Sequence, residues 1–317
     1  MTQAMAVAFD QYSQLNDTDC DERIHAAKRA LEVRAIILGH HYQRADVYKH
    51  AHLTGDSLKL SKLAGQADAR YIVFCGVHFM AEVADILSQP EQVAILPDLA
   101  AGCSMADMAN LAKVERAWSE LSQVLDPDQQ VTPVTYINSA ADLKAFCGEH
   151  GGIVCTSSNA RKILEWSFAR RNKVLFFPDQ HLGRWSGHSM GIAADEMQVW
   201  DPDEWMGGLT PEQIDAARIL LWKGHCSVHQ MFQPQHVLKF RNQHPDGLVI
   251  SHPECRFEVC NLSDYVGSTE YIIETIREAP PNTRWLVGTE LNLVNRIAEE
   301  FRPQGKIVQF MSPLICM

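Results

Sequence analysis

Runs of adjacent apolar residues recur along the chain: RAIILG (34–39), YIVFCG (71–76), VAILP (93–97), PVTYI (133–137), GIVCT (152–156), KVLFFP (173–178), GLVIS (247–251), RWLVG (284–288) and KIVQF (306–310), with a weaker DYVG at 264–267. Most lack strict alternation of polar and apolar positions. That suits strands covered on both faces, as in a parallel sheet. Between the runs the apolar positions follow the helical period. Leu60, Leu63, Ala64 and Ala67 fall at i, i+3, i+4 and i+7, and so do Met80, Val83, Ala84 and Leu87, and Val294, Ile297, Ala298 and Phe301. Ser104-x-x-Asp107 and Ser139-x-x-Asp142 resemble capping boxes, with Asp in place of Glu. The βαβα order predicts an α/β protein with mostly parallel sheets.

Ten strands are many for one doubly wound sheet, and 317 residues are many for one core. Element counting divides the chain into three α/β domains, 1–103, 104–226 and 227–317, with an acidic, irregular break at VWDPDEWMGGLTPEQ (199–213). No internal sequence repeat supports the division. No apolar run approaches the ~20 residues of a membrane span. The start, MTQAMAVAFDQYSQLNDTDCDER, has no basic segment and is not a signal peptide, so a cytoplasmic location with free thiols is expected.

The net charge is −11, with no basic cluster beyond Arg170-Arg171. Nucleic-acid binding needs a positive footprint, which is missing. An anionic ligand would have to be held by local donors. The carboxyl ends of the predicted strands supply them: GHHYQ (39–43), PDLAAGCS (97–104), YINS (136–139), CTSSN (155–159), PDQHLGR (178–184), HPEC (252–255), GSTE (267–270) and GTE (288–290). Ligands of open parallel sheets bind at such ends, where helix N-termini favour anions. Most Ser and Thr there serve as helix caps, and Asp98 and Asp179 read as caps or turn formers.

Nine cysteines occur, at 20, 75, 103, 147, 155, 226, 255, 260 and 316, and none forms a C-x-x-C pair. A metal site would have to be assembled by the fold. Cys75, Cys147 and Cys155 read as small buried hydrophobes. Cys103, in Gly-Cys-Ser before a helix start, is expected to have a lowered thiol pKa. Cys226 lies in the Gly/His/Ser loop of WKGHCSVH, while Cys255 and Cys260 fit either role.

ILGHHYQ, GDSLKLSKLA, VHFMAEVADIL, PDLAAGCSMAD, YINSAADLKA, CTSSNA, PDQHLGR, WKGHCSVH, HPEC, GSTEYII and VGTELNLVNRI occur in this order from about residue 34 to the end. Together they closely resemble the quinolinate synthase family, the A protein of de novo NAD biosynthesis. The resemblance implies three similar three-layer α/β/α domains around a pseudo-threefold axis. A [4Fe–4S] cluster would sit at their centre, held by one cysteine from each. The implied reaction condenses iminoaspartate with dihydroxyacetone phosphate to quinolinate, phosphate and water. Three thiolates leave one iron free to act as a Lewis acid.

By motif match, Cys103 and Cys226 are implied cluster ligands. His40, Ser57, Tyr136, Asn138, Ser157, His229, Ser268 and Thr269 are implied substrate contacts. Tyr42, His252 and Glu254 form the implied catalytic group, with Tyr42 and Glu254 moving protons. In the family the third cysteine is followed by Met two residues later and by a final helix. Here Cys316 is followed by Met317 alone. Either Cys316 is the ligand, or the ligand lies just beyond in a C-M-C-x-x-M arrangement, and a chain truncated before it is the expectation. The partners implied are the two small anions, with a functional link to an aspartate-oxidising enzyme, and neither nucleic acid nor membrane. A non-catalytic iron–sulfur or redox-sensing protein on the same fold is the alternative, separable by whether reconstituted protein makes quinolinate. A zinc hydrolase or metal-dependent aldolase is a further one, separable by metal analysis, and no H-E-x-x-H supports a zincin.

Overall fold

The computed structural model describes residues 11–312. Thirteen strands among them form three sheets. The first holds β1 (Ala35–His40), β2 (Leu53–Gly55), β3 (Tyr71–Cys75) and β4 (Val93–Ile95) in the order β2-β1-β3-β4. The second holds β5 (Val131–Tyr136), β6 (Ile153–Cys155), β7 (Lys173–Phe177), β8 (Met197–Trp200) and β9 (Ile219–Trp222) in the order β6-β5-β7-β9-β8. The third holds β10 (Leu248–Ser251), β11 (Tyr265–Val266), β12 (Arg284–Gly288) and β13 (Ile307–Phe310) in the order β11-β10-β12-β13. Every strand pairing is parallel. The protein is therefore α/β, as the apolar runs predict.

Each sheet begins with the same move. Its first strand lies between its second and third, and helices carry the connections. Three switch points result, each placing the loop after the first strand at a crevice. This repetition lives in the topology, since the sequence shows no matching repeat.

Three strands escape the sequence pattern. β2 is only three residues long. β9 (ILLW) follows directly on the helix Pro211–Ala216, so its apolar run cannot be told from a helical one by period. β8 ends in Val199-Trp200, inside the stretch that composition marks as irregular.

Both expected capping boxes are absent. Ser139 is not a cap: its hydroxyl donates to the Tyr136 carbonyl at 2.8 Å, and the helix Ala141–Glu149 starts from Ala140 without a side-chain cap. The helix Ser104–Asp107 starts from Cys103, again without one. Side-chain caps are supplied instead by Asn16, Asp56, Asn110, Asp126, Asp179, Thr210, Ser268 and Glu290. Asp98 is a turn former, accepting from the Ala100 amide at 2.9 Å.

The second sheet is the most deeply covered, with every residue of β5, β7 and β9 buried. Phe176, Phe177, Trp200 and Trp222 are among the largest side chains wholly removed from solvent. Each such burial stabilises by about 1.5–3 kcal/mol. Two buried lysines stitch helix ends to strand starts. Lys173 donates to the Asp215 and Ala217 carbonyls, and Lys306 to those of Ile276 and Arg277. Both meet the carbonyl-rich ends of helices, where a cation is favoured.

Candidate active site

The strand order distributes chemistry by position. The loop after the first strand of each sheet carries His40 and Tyr42, then Asn138 just beyond Tyr136, then His252 and Glu254. The turn after the second strand carries a hydroxyl at or before a helix start: Ser57, Ser157 and Thr269. After the last strand in sequence of the first and second sheets come Cys103 and Cys226. Cys316 follows β13 in sequence and lies outside the described residues.

These ends meet around one cavity of about 450 Å³. Its walls include His40, Tyr42, Ser57, Cys103, Tyr136, Asn138, Ser157, His252, Glu254 and Thr269. A larger, shallower depression of about 650 Å³ lies between the helix Leu111–Leu121 and residues 122–128, and holds no cysteine. His229 is buried behind the wall, with Nδ1 2.9 Å from a Glu254 oxygen, out of line for a hydrogen bond, and its ring stacked on His252 at 4.8 Å. Ser268 stands apart from the lining, where its hydroxyl caps the helix Thr269–Glu278 by accepting from the Tyr271 amide at 3.4 Å.

Cys226 Sγ, a His229 nitrogen and a Glu254 oxygen all lie within 4.8 Å of one another. The loop carrying Cys226 packs hard on the end of β7. Gly224 bridges to Asp179, and a Cβ at 224 would collide with the Pro178 carbonyl oxygen. Ser104 and Ser227, neighbours of the two cysteines, have hydroxyls 3.4 Å apart, so the two loops touch.

Glu254 is the electrostatic centre. Burial works against its charge. His252 and His229 outweigh that, as does the Tyr136 hydroxyl donating at 2.6 Å, and the carboxyl is held down at about 2. Burial together with the Glu254 charge pushes both Tyr42 and Tyr136 well above the usual phenol range, so both stay protonated donors. Burial lowers His40 to about 3 and His252 to about 4. Each accepts a backbone N–H at Nδ1, from Tyr42 at 3.2 Å and from Glu254 at 3.4 Å, which assigns their protons to Nε2. Both are neutral donors near pH 7.

The thiol of Cys103 departs from expectation. The helix that follows it is one turn long, and burial dominates, pushing its pKa up to about 11. Burial and the charge of Glu254 push Cys226 up as well, with Cys103 adding to the effect. Cys147 and Cys155 are buried hydrophobes as expected, and Cys75 is half-buried. Cys255 and Cys260 resolve as buried thiols directed at backbone carbonyls.

Thr289 escapes the sequence reading. Wholly buried, it lies 3.1 Å from the Tyr42 hydroxyl and 3.3 Å from His229 Nε2, joining a cavity side chain to the residue behind it. Its strand-end position in GTE is the one signal that marks it.

An α/β protein with thiols, neutral imidazoles, phenols and one ionised carboxylate at converging strand ends is built as an enzyme that handles small molecules. Residues 22–317 match the family model for quinolinate synthetase A protein. The chain is 54% identical over 312 residues to the quinolinate synthase of Acidobacterium capsulatum, covering 98% of this chain and 84% of that protein. The quinolinate synthase of Rhodopirellula baltica is 54% identical over 318 residues, covering 96% and 80%. That of Geobacillus kaustophilus is 49% identical over 308 residues, covering 96% and 82%. The chain belongs to the quinolinate synthase family and is an enzyme. No helix among the described residues is long and apolar enough to cross a membrane.

Proposed function

We propose that the protein condenses iminoaspartate with dihydroxyacetone phosphate to give quinolinate, phosphate and water, serving NAD biosynthesis. The observation that carries this is the meeting, at one 450 Å³ cavity, of Glu254, Tyr42, Tyr136, His40 and His252 beside Cys103, with Cys226 next to Glu254.

The donor set fits a [4Fe–4S] cluster. Burial and the charge of Glu254 raise the thiol pKa of both Cys103 and Cys226, and Cys103 adds to the effect on Cys226, an arrangement that a cationic metal centre would relieve. Cys103 and Cys226 would hold the cluster. Glu254, already engaged by Tyr136, is the weaker ligand candidate. Cys316 is the candidate third thiol within this chain. When bound, the cluster would supply a Lewis-acidic iron with an open position.

The remaining chemistry belongs to the side chains. Ser57 and Thr269 begin helices, where free N–H groups and hydroxyls together hold phosphate or carboxylate oxygens. Ser157 and Asn138 add donors from the second sheet. The Nε2–H groups of His40 and His252 orient carboxylates without bringing charge. Glu254 takes protons as carbon–carbon and carbon–nitrogen bonds form, and Tyr42 gives protons to departing oxygen. The imine substrate hydrolyses in water, so an aspartate-oxidising enzyme must supply it.

Anaerobic reconstitution tests the proposal. The expected result is quinolinate formation from the two substrates, with acid-labile sulfide and iron bound. Cys103→Ser and Cys226→Ser should each lose most of both, with unchanged far-ultraviolet circular dichroism. Iron bound without product would favour a sensor, and zinc without sulfide would remove the cluster.

A further inference from the structure

Tyr42 leaves the first sheet, yet the third sheet holds it. Its hydroxyl lies 3.3 Å from Oγ1 of Thr269, the first residue of the helix after β11, and 3.1 Å from Oγ1 of Thr289, just after β12. Its ring packs against the apolar cluster of that sheet, whose members include Ile250, Val287 and Leu293. The backbone is held from the same side. Arg296 donates from one guanidinium nitrogen to the His41 carbonyl and from the other to the Gln43 carbonyl at 2.8 Å. Asn292 donates to the carbonyl between them, that of Tyr42, at 3.3 Å. Three consecutive carbonyls of one loop are thus bound by two side chains one helical turn apart.

The holding helix, Leu291–Phe301, is itself fixed. Leu293, Val294, Ile297 and Phe301 are buried on the third sheet. Arg296 also stacks over the Tyr48 ring, its guanidinium carbon 3.8 Å from the centroid, which fixes the plane of the fork. Glu290 caps the helix and orients the Asn292 amide at 2.8 Å. These residues make up the ELNLVNR stretch, for which the reaction itself has no use.

We propose that Arg296 and Asn292 are positioning residues for the reaction: they set the loop 41–43 so that the Tyr42 phenol enters the cavity at a fixed height. This rests on the reading of Tyr42 as a proton-transfer group. A loop with three unsatisfied carbonyls would turn toward water and withdraw the phenol. A displacement of about 1 Å at such a group costs about 10²-fold in rate.

The test compares Arg296→Met, Arg296→Lys, Asn292→Ala and Tyr42→Phe in the reconstituted enzyme, with hydrogen exchange of the apo-protein as a second readout. Arg296→Met should lower kcat by about 10- to 100-fold with KM for both substrates within about 3-fold. It should speed amide exchange in the segment 41–44 and not across the second sheet. Arg296→Lys should recover part of kcat, because an ammonium keeps the charge and donors but lacks the planar fork that reaches the His41 and Gln43 carbonyls from two separate nitrogens. Asn292→Ala should fall between, and it carries the test with Arg296→Lys where Arg296→Met fails to fold. If Tyr42→Phe is impaired while Arg296→Met and Asn292→Ala keep kcat within about 2-fold, the latch is refuted and the reading of Tyr42 stands. If Tyr42→Phe is fully active, the reading of Tyr42 falls, and the latch falls with it as a catalytic device. Exchange raised throughout the molecule, with kcat and KM failing together, would reduce Arg296 to a general structural role.

Discussion

Glu254 sits between a phenol and an imidazole, and each of its two oxygens faces one of them, both carried by the second sheet and the loop that leaves it. Tyr136 of the second sheet donates at 2.6 Å, and His229, carried by the loop after β9, lies at 2.9 Å from the other oxygen. A carboxylate so held is ionised over the working pH range and ready to accept a proton. Glu254→Gln keeps the shape and most hydrogen bonds but removes the carboxylate proposed as the base. It should lower kcat by about 10²–10⁴-fold, measured as quinolinate formation at equal iron content. A variant within 2-fold of the parent would remove Glu254 from proton transfer. The residues that line the cavity were legible because chemistry-bearing types stand at strand ends, as in GHHYQ and HPEC. What the sequence could not convey is burial. Cys103 reads as an activated thiol from its place before a helix, yet enclosure raises its pKa. Thr289 looks like any strand-end hydroxyl until Tyr42 and His229 are seen beside it.

At the scale of elements, β1 and the loop after it are bound to the third sheet by charge as well as by the Arg296 fork. His41 and Lys59 of the first sheet region meet Glu270 of the helix Thr269–Glu278 at 3.1 and 3.0 Å. The hydrogen bond from His41, followed by that from Lys59, holds Glu270 at about 2, below its unfolded value of about 4.5. Its stabilising contribution is complete above the unfolded pKa and is lost as pH falls from about 4.5 toward 2. Glu270→Gln should therefore flatten the stability–pH curve in that window and leave the slope near neutrality unchanged, as read by urea melts. An unchanged acid limb would mean the contact carries no net free energy. In the second sheet, Phe176→Ala should cost about 3–5 kcal/mol, seen as a lower urea midpoint at unchanged slope. Nine of the thirteen strands stood out as longer apolar runs and a tenth more weakly. The strands missed are those whose apolar residues are too few or adjoin a helix, where period alone decides nothing. The capping boxes failed because Ser139 prefers its own local carbonyl and because Cys103, not Ser104, holds the N-cap position and makes no side-chain cap there.

For the whole molecule, the net charge is −11, while the substrates proposed above are anions. On that proposal the overall field would repel the substrates, and close donors would capture them. Screening should help approach more than it weakens capture, so kcat/KM should rise on going from low to about 0.15 M salt before levelling. A steady fall with salt would point to a positive funnel that the charge balance does not contain. The repeated strand order, which no sequence repeat announces, has one more consequence. Three equal loops would surround a ligand with equal groups and could not tell its ends apart. The loops after β1, β5 and β10 instead offer an imidazole with a phenol, a phenol with an amide, and an imidazole with a carboxylate. The shared strand order therefore sets three different faces around one cavity, and a ligand bound there meets a different chemistry on each side.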